Sequence, residues 1–173
     1  MISGILSGIL YLLYQKVNDT DILYKILQWL LIFNFLSFNT VLLLTDTFNY
    51  KIHLPIHLCY ITELGIFLSI LFKIKILYPW LALNSLGGGI AGLTNSNLSD
   101  DALLIEYIHL YISHFSLILF FIIIYLNKFT ISKYELIQST VFNAFLFFLV
   151  CYLNILIESN YWFTMHRPPG SNL

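Results

Sequence analysis

Apolar residues occur in long runs, broken by short stretches that collect the charged and turn-forming residues. Divided at those breaks, the chain yields six apolar segments, at about 2–14, 26–45, 53–72, 76–94, 103–126 and 134–157. A helix needs about 20 apolar residues to cross a hydrocarbon core of about 30 Å. The last five segments therefore predict spanning helices, and the shorter first one predicts a half-span or a tilted helix. The pattern predicts an all-α fold, a polytopic transmembrane helix bundle of about six membrane segments. It forms a single domain over residues 1–173, with no repeat and no soluble domain. The tight link "KIK" before Tyr78-Pro79 favours antiparallel neighbours. In the polar loop Thr94 to Asp101, Asp100 or Asp101 is placed to cap the next helix.

Composition supports the same class. Hydrophobic residues make up 59% of the chain and charged residues 10%, with a mean hydropathy of +0.83. Soluble domains carry about 25% charged residues, which this chain lacks the means to match. The net charge of -1 is uninformative, and no basic field suggests nucleic acid; the expected partners are membrane lipids. The N-terminus has neither a basic n-region nor an A-x-A pattern, so no cleaved signal peptide is expected. If all six segments span, one side collects Lys16, Lys25, Lys73, Lys75, Lys128 and Lys133, and the other only Lys51 and Arg167. The excess of positive charge predicts a multi-pass protein of the cell membrane with the lysine-rich loops in the cytoplasm. Both termini and the Asp100–Asp101 loop then lie outside.

The chemistry concentrates in "HLPIHLCYITE", His53 to Glu63. Pro55 suits a first helical turn, where its missing N–H costs nothing. On a regular helix Cys59 and Glu63 lie roughly 40° apart, whereas His57 is roughly 160° from Cys59. A base for Cys59 must therefore come from another helix. Segment five offers His114, on a face with Tyr107 and Tyr111, and His109, on a face with Ser113 and Ser116. Segment four carries Asn84 and "GGGIAG", whose small residues allow helices to approach closely, and segment six carries Asn143, Asn154 and Glu158. Counted at 1.5 Å per residue from the segment starts, Cys59 and His109 both lie about 9 Å deep, Glu63 about 15 Å and His114 about 16 Å. Depth thus pairs Cys59 with His109 and Glu63 with His114, and a four-residue shift of one boundary reverses the first pairing.

Plainer roles compete with these. An intramembrane cysteine is usually a small buried hydrophobe. His53 is expected to snorkel or bond backbone, with both histidines of the opening stretch at the rim. Asn84, Asn143 and Tyr152 are expected to hold neighbouring helices together. Glu63 must be protonated or paired, since a mid-span carboxylate is expensive. Cys59 and Cys151 permit a disulfide without requiring one. A proton-coupled path through Glu63, His109, His114 and Asn143 is one alternative, and a non-catalytic membrane protein another. A zinc site from His57, Cys59 and His109 has suitable ligand types but no C-x-x-C pair. Neither a metal nor a cofactor is expected.

Four motifs carry a resemblance: "LPIHLC" (Leu54 to Cys59), "YPWLALNSLGGGIAGLT" (Tyr78 to Thr94), "YISHFSLIL" (Tyr111 to Leu119), and "SNYWF" followed by "RPP" (Ser159 to Pro169). In order and in coverage the chain resembles the YwaF-like family of bacterial integral membrane proteins, related to eukaryotic transmembrane protein 164. The resemblance implies a polytopic helical fold and a link to acyl transfer on phospholipids, with Cys59 as nucleophile and His114 as the histidine of a later helix. It also implies a further apolar segment after "RPP", so one family helix is expected to be missing at the C-terminus. On this reading Cys59 and His114 are catalytic. His57 and Asn154 are candidates to stabilise the oxyanion, Glu63 to orient His114, and His109 is the rival base.

Overall fold

A computed structural model describes residues 20–94, 98 and 102–167, together with the isolated helical positions 4, 8, 11 and 12. Its helices are α1 (Thr20–Leu44), α2 (Leu58–Leu71), α3 (Tyr78–Thr94), α4 (Leu104–Leu126) and α5 (Lys133–Ile157). Two short 3-10 turns, Lys75–Leu77 and Tyr161–Phe163, complete the elements. No strand occurs among the described residues. Most of the predicted first segment with Lys16, the caps at Asp100 and Asp101, and Pro168 and Pro169 of the C-terminal motif lie outside them. Four helical stretches, Thr20–Leu44, Lys75–Thr94, Leu104–Leu126 and Lys133–Ile157, are long and apolar enough to cross a membrane. The protein is an all-helical, multi-pass membrane protein.

Local sequence explains the boundaries. α1 starts six residues earlier than the apolar run because Asp21 in its first turn complements the helix dipole, so Lys25 is helical rather than in a loop. α5 starts with a capping box: Glu135 N–H donates to Ser132 Oγ (3.2 Å) and Ser132 N–H donates to Glu135 Oε2 (2.8 Å).

The third segment departs from expectation. α2 has only 14 residues, about 21 Å of rise, and does not match the 53–72 span. Residues 45–57 form turns instead. Ile52 and His53 N–H both donate to Asn49 O (3.1 and 2.8 Å), and Ile56 N–H donates to Leu54 O (2.8 Å). Pro55 lies in that turn and does not open the helix. It disfavours helical backbone at Leu54 and offers no N–H of its own.

α4 is the central helix and touches α1, α2 and α3. The core joins Leu23, Leu27 and Leu31 of α1, Ile66 of α2, Leu81 of α3, and Leu117, Phe120 and Ile123 of α4. α5 docks on α3 through a polar clasp. Asn84 Nδ2 donates to Asn143 Oδ1 (3.2 Å), Asn143 Nδ2 donates to Asn84 Oδ1 (2.8 Å), and Trp80 Nε1 also donates to Asn143 Oδ1 (2.7 Å). Two of the expected helix-joining residues thus do so, but Tyr152 points outward, 60% exposed. Phe145 and Phe148 face the same surroundings, as a lipid-facing surface allows.

The antiparallel course puts the start of α2, the end of α3, the start of α4 and the end of α5 at one end of the bundle. Contacts across it confirm this: Lys51 Nζ to Glu158 Oε2 at 2.9 Å, and Tyr161 Oη donating to Tyr50 O at 2.6 Å.

Candidate functional site

At that end, Cys59 Sγ lies 3.3 Å from His114 Nε2. Each residue is placed by local structure. α2 is capped by His57 in extended backbone, and its first helical hydrogen bond runs from Ile61 N–H to His57 O (3.0 Å). Cys59 is therefore the second helical residue, inside the first turn. No side chain caps this turn. The N–H groups of Leu58, Cys59 and Tyr60 thus have no acceptor within their helix, and the positive end of its dipole faces the sulfur.

The His114 ring is oriented from its own helix. Nδ1 lies 2.7 Å from Leu110 O. A carbonyl can only accept, so Nδ1 carries the proton and Nε2 turns its lone pair to the thiol. Space for the ring comes from α3. A Cβ at Gly92 would overlap the imidazole, one at Gly89 would come within 2.6 Å of Ile118, and one at Gly88 would touch Cys59 Sγ at 3.5 Å. The "GGGIAG" run is thus helix packing, as expected of small residues, and also the wall of the Cys59–His114 site.

The depth count that favoured His109 fails because residues 53–57 are not helical. A turn is not bound to 1.5 Å per residue, so Cys59 meets a residue farther along α4. His109 stacks between Phe38 (centroids 4.0 Å apart) and Tyr60 (5.0 Å), with Nδ1 buried and unpartnered. Glu63 is not the partner that orients His114, whose Nδ1 is taken by Leu110. Its carboxyl interacts with Ser113, itself a hydrogen-bond acceptor for Asn34 Nδ2 (3.3 Å), and its Oε1 has no partner.

The other supporting candidates are committed elsewhere. His57 packs against Tyr161 (4.9 Å) and Phe163 (5.9 Å), and Trp162 N–H donates to its Nδ1 (3.4 Å). Asn154 spends its amide on the C-terminal turn. Nδ2 donates to Tyr161 O and Thr164 Oγ1 (both 2.7 Å), while Oδ1 accepts from Ser159 Oγ (2.6 Å) and Tyr161 N–H (2.9 Å). The Asn154 amide is thus fully taken, whereas His57 has only its Nδ1 engaged. His53 is buried in the turn before α2, 8% exposed; it accepts from Asn49 N–H at Nδ1 (2.9 Å), as the backbone-bonded role requires, and faces Glu106 Oε1 at 3.5 Å. His57, Cys59 and His109 do not converge, and among the described residues no group of three such side chains could hold a metal ion. Cys59 and Cys151 are both free thiols.

Sequence reasoning gave no role to Tyr161 and Trp162, although "SNYWF" stood out as a motif. Fully buried Tyr161 bridges Tyr50 O and Leu54 N–H through its hydroxyl, and Trp162 Nε1 donates to Ile56 O (2.8 Å). Together they strap the turn that carries Cys59. Trp162 and Phe163 hold left-handed backbone (φ 57° and 54°) to do so, a conformation bulky residues rarely adopt. Outside the spans, the hydrogen bond from Lys51 holds the Glu158 carboxyl below the usual carboxylate range and raises the Lys51 ammonium.

A family model described as the TMEM164 family matches residues 1–173. No curated protein and no solved structure is detectably similar to the chain.

Proposed function

The chain belongs to the TMEM164 family, and from that premise together with the Cys59–His114 contact we propose that it is a cysteine-dependent lipid acyltransferase or hydrolase. The observation that carries the reading is the thiol 3.3 Å from a ring nitrogen whose partner nitrogen is already bonded to backbone. That is the arrangement of a nucleophile beside its base.

The sulfur of Cys59 attacks the carbonyl carbon of an acyl ester, and the thiol proton passes to His114 Nε2. The tetrahedral oxyanion takes hydrogen bonds from the N–H groups at the start of α2. The carbon–oxygen bond breaks, His114 returns the proton to the leaving alkoxide, and a thioester with a free alcohol results. A second hydroxyl, from a lysolipid or from water, gives its proton to Nε2 and attacks the thioester. The carbon–sulfur bond breaks and the thiol is restored with that proton. No metal or cofactor enters the cycle, and the partners are membrane lipids.

The finer placement is part of the proposal: the bacterial YwaF-like branch, and a cell membrane with Lys16, Lys73, Lys75, Lys128 and Lys133 in the cytoplasm. Lys73, Lys75, Lys128 and Lys133 stand at the end of the bundle opposite Cys59, so the chemistry falls in the outer leaflet.

The test is acyl exchange between phospholipid and lysophospholipid in vesicles holding the purified protein, followed by mass spectrometry. Cys59→Ala and His114→Ala should each remove it, and full turnover by Cys59→Ala overturns the reading. A second reading, a proton-coupled solute path, draws on the unpartnered buried Glu63 Oε1 and His109 Nδ1. Asn143 does not join that path, since its amide is held by Asn84 and Trp80. Solute flux lost in Glu63→Gln and kept in Cys59→Ala would support it instead.

A further inference from the structure

A groove of about 300 Å³ lies between α1 and α2. Leu31 and Phe35 line it from α1, and Tyr60, Glu63, Leu64 and Phe67 from α2. The α2 positions are spaced i, i+3, i+4 and i+7, so they form one helical face about 10 Å long. The groove therefore runs along the helix axes, the direction in which a lipid chain lies in a bilayer. Phe35 and Leu64 stand 41% and 57% exposed, so it is open to the side where lipid would be.

One feature of the lining is not apolar packing. Glu63 is 6% exposed, and its Oε1 has no hydrogen-bond partner. In hydrocarbon an unmatched polar atom costs several kcal/mol, so such a carboxyl calls for a partner from outside the protein. The partner must arrive through an apolar slot and end in a group that bonds a carboxyl. Cys59 lies one turn before Glu63 on α2, about 40° around the helix from it. A chain seated in the groove would thus present its head near the sulfur.

We propose that the α1–α2 groove seats one acyl chain of a membrane lipid, with the Glu63 carboxyl hydrogen-bonding the ester at its head. The protonated carboxyl donates to the ester carbonyl. The proposal deepens the acyl-transfer reading and rests on it for the fate of the ester, but the seat is testable without turnover.

The experiment is photolabelling of the full chain in vesicles, using a phospholipid with a diazirine midway along one acyl chain, followed by peptide mapping. Label should concentrate on α1 around Phe35 and α2 around Leu64. Leu64→Trp and Phe35→Trp, which fill the groove from opposite walls at exposed positions, should each lower that labelling several-fold. Glu63→Leu should lower it too without lowering the melting temperature. Cys59→Ala should label like the parent protein. Label spread evenly over outward-facing side chains such as Phe145 and Phe148 overturns the seat. So does yield indifferent to both tryptophans, or a groove crosslinked to residues 2–14 or to a second copy. If Cys59→Ala abolishes acyl exchange while label avoids the groove, the seat fails and the acyl-transfer reading stands.

Discussion

Gly92 of α3 and the imidazole of His114 on α4 lie so close that even a methyl group would not fit between them. The ring is fixed on that side by a bare backbone and on the other by its bond to Leu110 O. The ring is thus held by two helices although only one carries it.

Gly92→Ala should displace the ring and cut acyl turnover at least tenfold, equivalent to about 1.4 kcal/mol of barrier. Overpacking costs about 1–3 kcal/mol, partly offset by about 1 kcal/mol of helix propensity, so the fold should survive. Gly87→Ala is the control. Nothing lies within 4 Å of a Cβ there, and turnover should not change. Acyl exchange and thermal melting of both variants check this.

His114→Gln keeps much of the ring's volume but supplies no base. Loss of a general base costs about 10²–10⁴ in rate. Alkylation of Cys59 by a lipid-like electrophile should slow along with acyl exchange, whereas His109→Gln should leave the Cys59 alkylation rate close to that of the parent. Equal loss in both variants would return the base assignment to His109.

Tyr161→Phe removes the hydroxyl that joins Tyr50 O to Leu54 N–H. A buried donor left unsatisfied costs about 1–3 kcal/mol, so the melting temperature should fall. Because Leu54 begins the turn that carries Cys59, alkylation of Cys59 should also change. A drop in stability with unaltered thiol reactivity would separate the strap from the site.

Lys51 and Glu158 form an exposed pair, with side chains 36% and 83% exposed. Glu158 is held below its ordinary range in the folded protein, so its contribution is present above the usual carboxylate range and is lost as pH falls through the lowered value. The stability difference between the parent and Glu158→Gln should be small at neutral pH, shrink in high salt and vanish in acid. Thermal melts across pH and salt read it directly.

Much of this arrangement is legible from residue order. The apolar runs locate α1 and α3 to α5 because a spanning helix must satisfy all its backbone groups internally. The Cys59–His114 pairing follows from motif resemblance, while depth arithmetic pointed to His109. That arithmetic assumed helix from residue 53, and hydrogen bonds to Asn49 O and Leu54 O turn the chain there instead. The neighbours of Asn154 and His57 were hidden for a different reason. Their partners come from Ser159 to Thr164, a turn with left-handed backbone at two aromatic residues that no periodicity announces.

The short α2 has a consequence for the bilayer itself. Its roughly 21 Å leaves about 9 Å of a 30 Å core unmatched, and the turn at its start carries polar backbone that hydrocarbon will not accept. A membrane meets such a mismatch by thinning locally. The leaflet surface would dip where α2 begins, lowering glycerol backbones toward the thiol. An ester could then reach Cys59 without its lipid being lifted out of the leaflet.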